Sequence, residues 1–270
     1  MAEVFTAACV QVNAGEDMDD NIAHACALAR RARDAGADFI AMPENVAMMT
    51  WGADNVRARA FDEDSHPALA AFRALAQETE AWILAGTLAV AVGDKVANRS
   101  ILISPQGTVT ARYDKIHMFD VDLGGGESYR ESATFAPGAA AVLAELPWGK
   151  LGMSVCYDLR FPHLYRTLAR RGADFFAVPA AFTQVTGQAH WHVLQRARAI
   201  ENGCYVIAPA QCGVHVNDRR TYGHSLIVSP WGEVLGDGGV DPGFIVVPID
   251  PGQITEARRK IPSLRHDRPF

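Results

Sequence analysis

The chain has 270 residues, 49% of them hydrophobic and 21% charged, the composition of a soluble globular protein with a sizeable core. Its formal net charge is -6, and its basic residues are scattered apart from pairs such as Arg30-Arg31, Arg170-Arg171, Arg219-Arg220 and Arg258-Arg259. No nucleic-acid footprint is therefore expected, and no apolar run reaches the ~18 residues of a membrane span. The opening "MAEVFTAACVQVN" is unlike a secretory leader, and five irregularly spaced cysteines suit reduced thiols in a cytoplasmic protein.

In chain order the predicted elements form two similar halves. The first opens on the apolar strand "VFTAACVQV", passes through the helical stretch "NIAHACALARRARDAG", and reaches a second strand in "GADFIAMPE". A second helix, "PALAAFRALAQETEA", a strand, "WILAGTLAV", and a hairpin through Pro105-Gln106-Gly107 complete it. The second half repeats that order with "LGMSVC", "HLYRTLARRG", "GADFFAVPA", "HWHVLQRARAIENG", "CYVIAPAQ" and a hairpin through Pro230-Trp231-Gly232. "SILISPQGTV" in the first half also matches "SLIVSPWGEV" in the second.

Each half therefore reads β-α-β-α-β-β. The near-continuous apolar strands "ADFIAM" and "ADFFAV" suit burial on both faces, and two helix-covered half-sheets bury their open faces by stacking. The expected fold class is α/β: a four-layer α-β-β-α sandwich with an internal pseudo-two-fold repeat, with a single doubly wound sheet as the rival. Residues 1–270 are expected to be one domain, with a core over about 4–250. The tail over about 251–270 reads as a short helix and a polar end lying on a partner or on the surface.

The repeat is most informative where it fails. Glu44 closes its strand after Met42-Pro43, and its counterpart in the other half is Ala180. Ligands gather at the carboxyl ends of strands in α/β sheets, so an acid present in one copy only is a candidate site residue. A capping or surface role is the alternative. Cys156 occupies the same kind of strand end in the other half, and Pro162 can begin the helix that follows. A free cysteine after an apolar run is ordinarily a small buried hydrophobe, which is the reading for Cys9, Cys26, Cys204 and Cys212. The adjacent Asp158 and Arg160 set Cys156 apart. A nucleophile on a strand-to-helix turn is presented at the sheet edge, where the backbone N–H of Tyr157 can face a developing oxyanion. Lys115, in "ARYDKIHMFDVD", is by default a solvated charge; buried beside a thiol it would lower the thiol pKa and stabilise an oxyanion.

"MPEN" at Met42–Asn45, "YDKIHMFDVD" at Tyr113–Asp122 and "MSVCYDLRFP" at Met153–Pro162 together resemble the Glu-Lys-Cys signature of the nitrilase, or carbon-nitrogen hydrolase, superfamily. The resemblance spans nearly the whole chain, and "CYDLRFP" is similar to its Nit-type amidase branch. It implies the four-layer sandwich, a cysteine nucleophile at Cys156, a general base at Glu44 and a cationic stabiliser at Lys115. It also implies a second glutamate, matched by Glu131 in "GGESYRESATFAPG", with Glu127 as the competing acid. Assembly into a homodimer or higher homo-oligomer, with pairing through helices near the nucleophile and the tail crossing to the partner, follows from the same resemblance.

The implied reaction is hydrolysis of a small carboxylate-bearing amide to acid and ammonia through a thioester. Deaminated glutathione is the favoured substrate and α-ketoglutaramate the alternative, because "GGGES" before Tyr129 lacks the proline and lysine expected for the latter. Arg160 and Arg130 are the candidates for the substrate carboxylate, each with an ion pair to Asp158 or Glu131 as the alternative. Tyr129, Tyr157, Phe182 and Thr183 complete the expected substrate-binding set.

Rival readings attach to particular residues. His190 and His192 stand two apart on a predicted helix and point to different faces, so no metal is expected there, and no cofactor is called for. "DLGGGES" lacks the GK[ST] of a phosphate loop. A protease-like Cys-His-Asp hydrolase would use His117 or His224 as base, and a catalytically dead dimeric scaffold is the reading from a different class.

Overall fold

Strand β1 (Phe5–Gln11) is buried on both faces, and this sets the layering. Successive side chains on a strand point to opposite faces. Phe5, Ala7 and Cys9 enter one core, while Ala8 and Val10 enter another shared with Ala25, Leu28 and Ala32 of helix α1 (Met18–Asp34). The computed structural model describes residues 3–124 and 127–268. Residues 125–126, inside "GGGES", lie outside that range.

The first half continues with β2 (Phe39–Ala41), α2 (Ala53–Ala58), α3 (Pro67–Thr79), β3 (Trp82–Leu84), β4 (Leu88–Val92), β5 (Lys95–Ile103) and β6 (Val109–Asp114). A small hairpin, β7 (Asp120–Asp122) and β8 (Ser128–Arg130), leads to the second half. That half holds β9 (Leu143–Leu146), β10 (Gly149–Met153), α4 (Pro162–Arg170), β11 (Phe175–Ala177), α5 (Gln184–Asn202) and β12 (Tyr205–Ala208). It closes with β13 (Cys212–Val214), β14 (Arg220–Tyr222), β15 (Leu226–Val228), β16 (Val234–Asp237), β17 (Gly243–Ile249) and α6 (Gly252–Lys260).

One sheet runs β17-β1-β2-β3-β5-β4 with β6 on β5, and the other runs β16-β15-β12-β11-β10-β9. The internal repeat is visible in the register. Ala7, Phe39 and Trp82 stand side by side on three parallel strands, as Leu151, Phe175 and Tyr205 do in the other sheet. Each triplet is followed by an antiparallel hairpin, β5–β6 or β15–β16. The outer edges match too: β17 lies antiparallel to β1, as β9 does to β10. The last strand of the chain thus completes the first sheet.

Between the sheets, Phe5 stacks on Trp148 at 4.1 Å and meets the edge of Phe175 at 5.4 Å. Phe176 turns the other way, its ring 5.1 Å from that of Tyr165 on α4. The order is helices, sheet, sheet, helices, the four layers expected.

Two details differ from the expectation. "WILAGTLAV" is two strands, interrupted at Ala85–Thr87. Gly86 there has φ +57°, and a Cβ on it would lie 1.9 Å from the Pro43 carbonyl oxygen. Thr87 accepts a hydrogen bond from the Asn45 N–H at 2.8 Å, so the break seats the loop carrying Glu44. Helix α5 begins at Gln184, ahead of the apolar pattern that marks its middle. The tail's described part rests on this chain's own helices: Ser263 Oγ donates to the Glu201 carbonyl at 3.1 Å, and Asp267 stands 3.6 Å from Arg166. Among the described residues no helix is long and apolar enough to cross a membrane, and all five cysteines are free and buried.

Gly86→Ala is expected to cost about 2–4 kcal/mol, combining left-handed strain with overpacking. A denaturation midpoint equal to wild type would contradict that account of the Glu44 loop.

Candidate active site

Glu44 follows β2 and Cys156 follows β10, so the two stand beyond the carboxyl ends of strands in opposite sheets. Lys115 follows β6, the outer strand of the first hairpin, and Glu131 follows β8.

The Cys156 backbone has φ +48°, a left-handed conformation uncommon outside glycine. Its N–H donates to the Pro179 carbonyl at 2.9 Å. Asp158, fully buried, organises the turn. It accepts from the Tyr113 hydroxyl at 2.6 Å, from the Val155 N–H at 2.9 Å and from the His117 N–H at 3.0 Å, and His117 Nδ1 lies 2.7 Å away. The structure thus commits Asp158 to shaping the turn, and not to an ion pair with Arg160.

Lys115 Nζ donates to Glu44 Oε1 at 3.0 Å and to both oxygens of Glu131 at 2.9 Å. The side chains are 2% exposed for Lys115, 3% for Glu44 and 13% for Glu131. Asn98 Nδ2 reaches both acids, at 2.8 Å from Glu44 and 3.3 Å from Glu131. The Ala181 N–H donates to Glu44 Oε2 at 2.9 Å, and the Phe119 N–H to Glu131 Oε2 at 2.6 Å. Glu127, the competing acid, instead accepts from the Tyr129 hydroxyl at 2.8 Å.

Charges in this cluster follow from what each group faces. Burial works against the Lys115 ammonium, but the Glu131 and Glu44 carboxylates outweigh it and raise its pKa. Burial also pushes Glu44 up; Lys115, the Cys156 thiol and Arg219 together outweigh it, leaving the carboxyl below its ordinary value. Cys156 behaves differently. Burial, then the Glu44 charge, push its thiol well above the ordinary value, and Lys115 offsets only part of this. The expected lowering of the thiol pKa by Lys115 is present but outweighed, because burial and the Glu44 charge act in the other direction. The resting site is an ionised Glu44 beside a neutral thiol.

These groups line a cavity of about 380 Å³ together with Trp51, Phe119 and Phe182. Of the expected substrate-binding residues, Arg130, Tyr129, Tyr157, Phe182 and Thr183 line it. Arg160 is not among the lining residues: its guanidinium lies over Phe182 at 5.2 Å and near His190 Nδ1 at 3.3 Å. Arg219 lines the cavity instead, donating to the Ala181 carbonyl at 3.1 Å and lying 5.4 Å above the Tyr129 ring. Its only mark in the sequence is the Arg219-Arg220 pair, one of several alike. Asn98, inside β5, has no mark at all.

The histidines of the rival readings lie elsewhere. His117 stacks on Phe161 at 3.5 Å and His224 Nδ1 meets Asp237 at 2.9 Å; neither lines the cavity. His190 and His192 separate as expected, but His192 joins His224 and Asp237, whose ligand atoms lie within 4.8 Å of one another. That group also stands apart from the cavity.

The sequence pattern of the carbon-nitrogen hydrolase family matches residues 6–259. The chain belongs to that family. It is accordingly a hydrolase acting on amide C–N bonds. It is 41% identical over 268 residues to a deaminated glutathione amidase of Synechocystis sp., covering 97% of both chains. It is 33% identical over 269 residues to the omega-amidase NIT2 of Homo sapiens, covering 98% of this chain and 95% of that one. The solved C. elegans NitFhit protein matches with a TM-score of 0.91 at 32% identity, over 99% of this chain and 66% of that longer one.

A neutral resting thiol is directly measurable. The difference in thiolate ultraviolet absorbance between wild type and Cys156→Ala is expected to stay flat from about pH 5 to 8, below even the unperturbed cysteine pKa. A step in that window would contradict the charge assignment.

Proposed function

We propose that the chain hydrolyses deaminated glutathione through a thioester on Cys156, with Glu44 as general base and Lys115 as oxyanion stabiliser. The observation that carries the reading is the buried cluster in which one ammonium bridges two carboxylates beside a neutral thiol, on the wall of a cavity. The substrate rests on the similarity to a deaminated glutathione amidase over almost all of both chains.

In this scheme Glu44 takes the Cys156 proton as sulfur attacks the carbonyl carbon, so the thiolate exists only as it reacts. Lys115 and the Tyr157 N–H hold the oxyanion, and Glu131 keeps Lys115 in position. As the intermediate collapses, the C–N bond breaks and Glu44 returns the proton to the departing nitrogen. Glu44 next takes a proton from water, hydroxide attacks the thioester carbon, and the sulfur leaves and regains a proton. Deaminated glutathione is a secondary amide at the bond joining its keto-acyl group to cysteinylglycine. The product is therefore an amine, and the ammonia expected from the sequence would come only from a primary amide such as α-ketoglutaramate.

The same reading makes the chain one cytoplasmic domain that pairs as a homodimer without a cofactor. Five free buried cysteines support a reducing compartment, and exposed Val193 and Ile200 along α5 support a pairing face.

Cys156→Ala and Glu44→Gln are expected to abolish turnover, whereas a Cys-His-Asp enzyme would survive the second change. Lys115→Ala is expected to lower kcat by about 10²–10³ and to destabilise the fold by about 3–5 kcal/mol by leaving buried carboxylates unpaired. A substrate panel run by mass spectrometry checks the rest. Cleavage of deaminated glutathione with transient acylation of Cys156 is expected; far faster ammonia release from α-ketoglutaramate would overturn the substrate, and no turnover of any amide would favour the scaffold.

A further inference from the structure

The cavity has a second compartment. A space of about 350 Å³ adjoins it, and the two share Trp51, Ser128, Tyr129 and Arg219 as lining. Cys156, Lys115, Glu44 and Glu131 line the inner space alone, while Gln184, Val185, Asn217 and Arg220 line the outer one alone. An amide too large for the inner space, with its carbonyl at Cys156, extends one half toward the outer one. A primary amide has only its acyl half to extend.

Arg219 is built into the shared wall. Its guanidinium is held over the Tyr129 ring, and one terminal nitrogen donates to the Ala181 carbonyl. Its Nε is buried with no hydrogen-bond partner. Arg219 forms no ion pair among the described residues, nor does Arg220 beside it. Two acids also line the outer space: Glu127, engaged by the Tyr129 hydroxyl, and Asp218, which is exposed. A half-buried guanidinium with an enclosed, unused Nε donor is an incomplete site, and the group that completes it best is a carboxylate.

We propose that the outer compartment binds the amine half of the substrate and that Arg219 holds a carboxylate carried on that half. The inference rests on the substrate reading above, since cysteinylglycine ends in such a carboxylate and ammonia does not. It assigns Arg219 as a specificity residue that favours peptide-like amides over primary ones.

The test pairs two substrates with two enzymes. The substrates are deaminated glutathione and its analogue with the glycine carboxylate converted to a carboxamide; the enzymes are wild type and Arg219→Gln. Because Arg219 also acts on Glu44, the variant is expected to slow both reactions, and the ratio of the two kcat/KM values removes that common effect. Wild type is expected to prefer the carboxylate by about 10- to 100-fold, chiefly through KM, and the variant to lose most of that preference. A wild-type ratio near one, or a ratio unchanged by the substitution, would overturn the subsite. The wild-type ratio alone decides the matter if the variant does not fold. No wild-type turnover of deaminated glutathione would instead sink the substrate reading, and the subsite with it.

Discussion

The site depends on one buried cation shared by two carboxylates. Lys115 is almost fully enclosed and bonded to both Glu44 and Glu131. Burial works against the Glu44 carboxylate and against the Lys115 ammonium alike, and the charges they face outweigh it. Burial first, and the Glu44 charge second, hold the neighbouring thiol in its protonated form. In the proposed reaction Cys156 is then the proton donor and Glu44 the acceptor.

The fold supplies what this arrangement needs. Repeating the same sheet twice and stacking the copies brings two strand ends from opposite sheets together, one carrying Glu44 and the other Cys156. The copies have diverged where chemistry is concerned: Glu44 has Ala180 opposite it in the repeat, and Cys156 sits on a turn clamped by Asp158. Two of the six described non-glycine residues with left-handed backbone, Asn45 and Cys156, also lie there. Packing holds both, through Gly86 and Thr87 on one side and Asp158 on the other.

Much of this could be read from the chain before folding. Periodicity and the matched "GADF" segments carry the layers, because apolar strands and amphipathic helices leave few ways to bury themselves. Glu44 stood out because the repeat breaks there, and Cys156 because charged residues follow it. Lys115 was legible only by family resemblance, since a lone lysine has no local signature of burial. Asn98, Arg219 and the β13–β14 hairpin were illegible for a related reason. Their roles come from meeting residues far along the chain, Asn98 with Glu44 and Glu131, Arg219 with Ala181 and Tyr129. The net direction of the Cys156 shift was illegible because the motifs suggest a lysine near the thiol and say nothing of how deeply the thiol is buried or of the Glu44 charge it faces.

The most direct test of the central claim is the charge on Glu44 itself. Carbon-13 NMR of carboxyl-labelled glutamate, with the resonance assigned by its loss in Glu44→Gln, follows that group through a pH titration. The account predicts a carboxylate at neutral pH that takes its proton only below the ordinary glutamate range, near pH 4.3. A Glu44 carboxyl still protonated at neutral pH would contradict it.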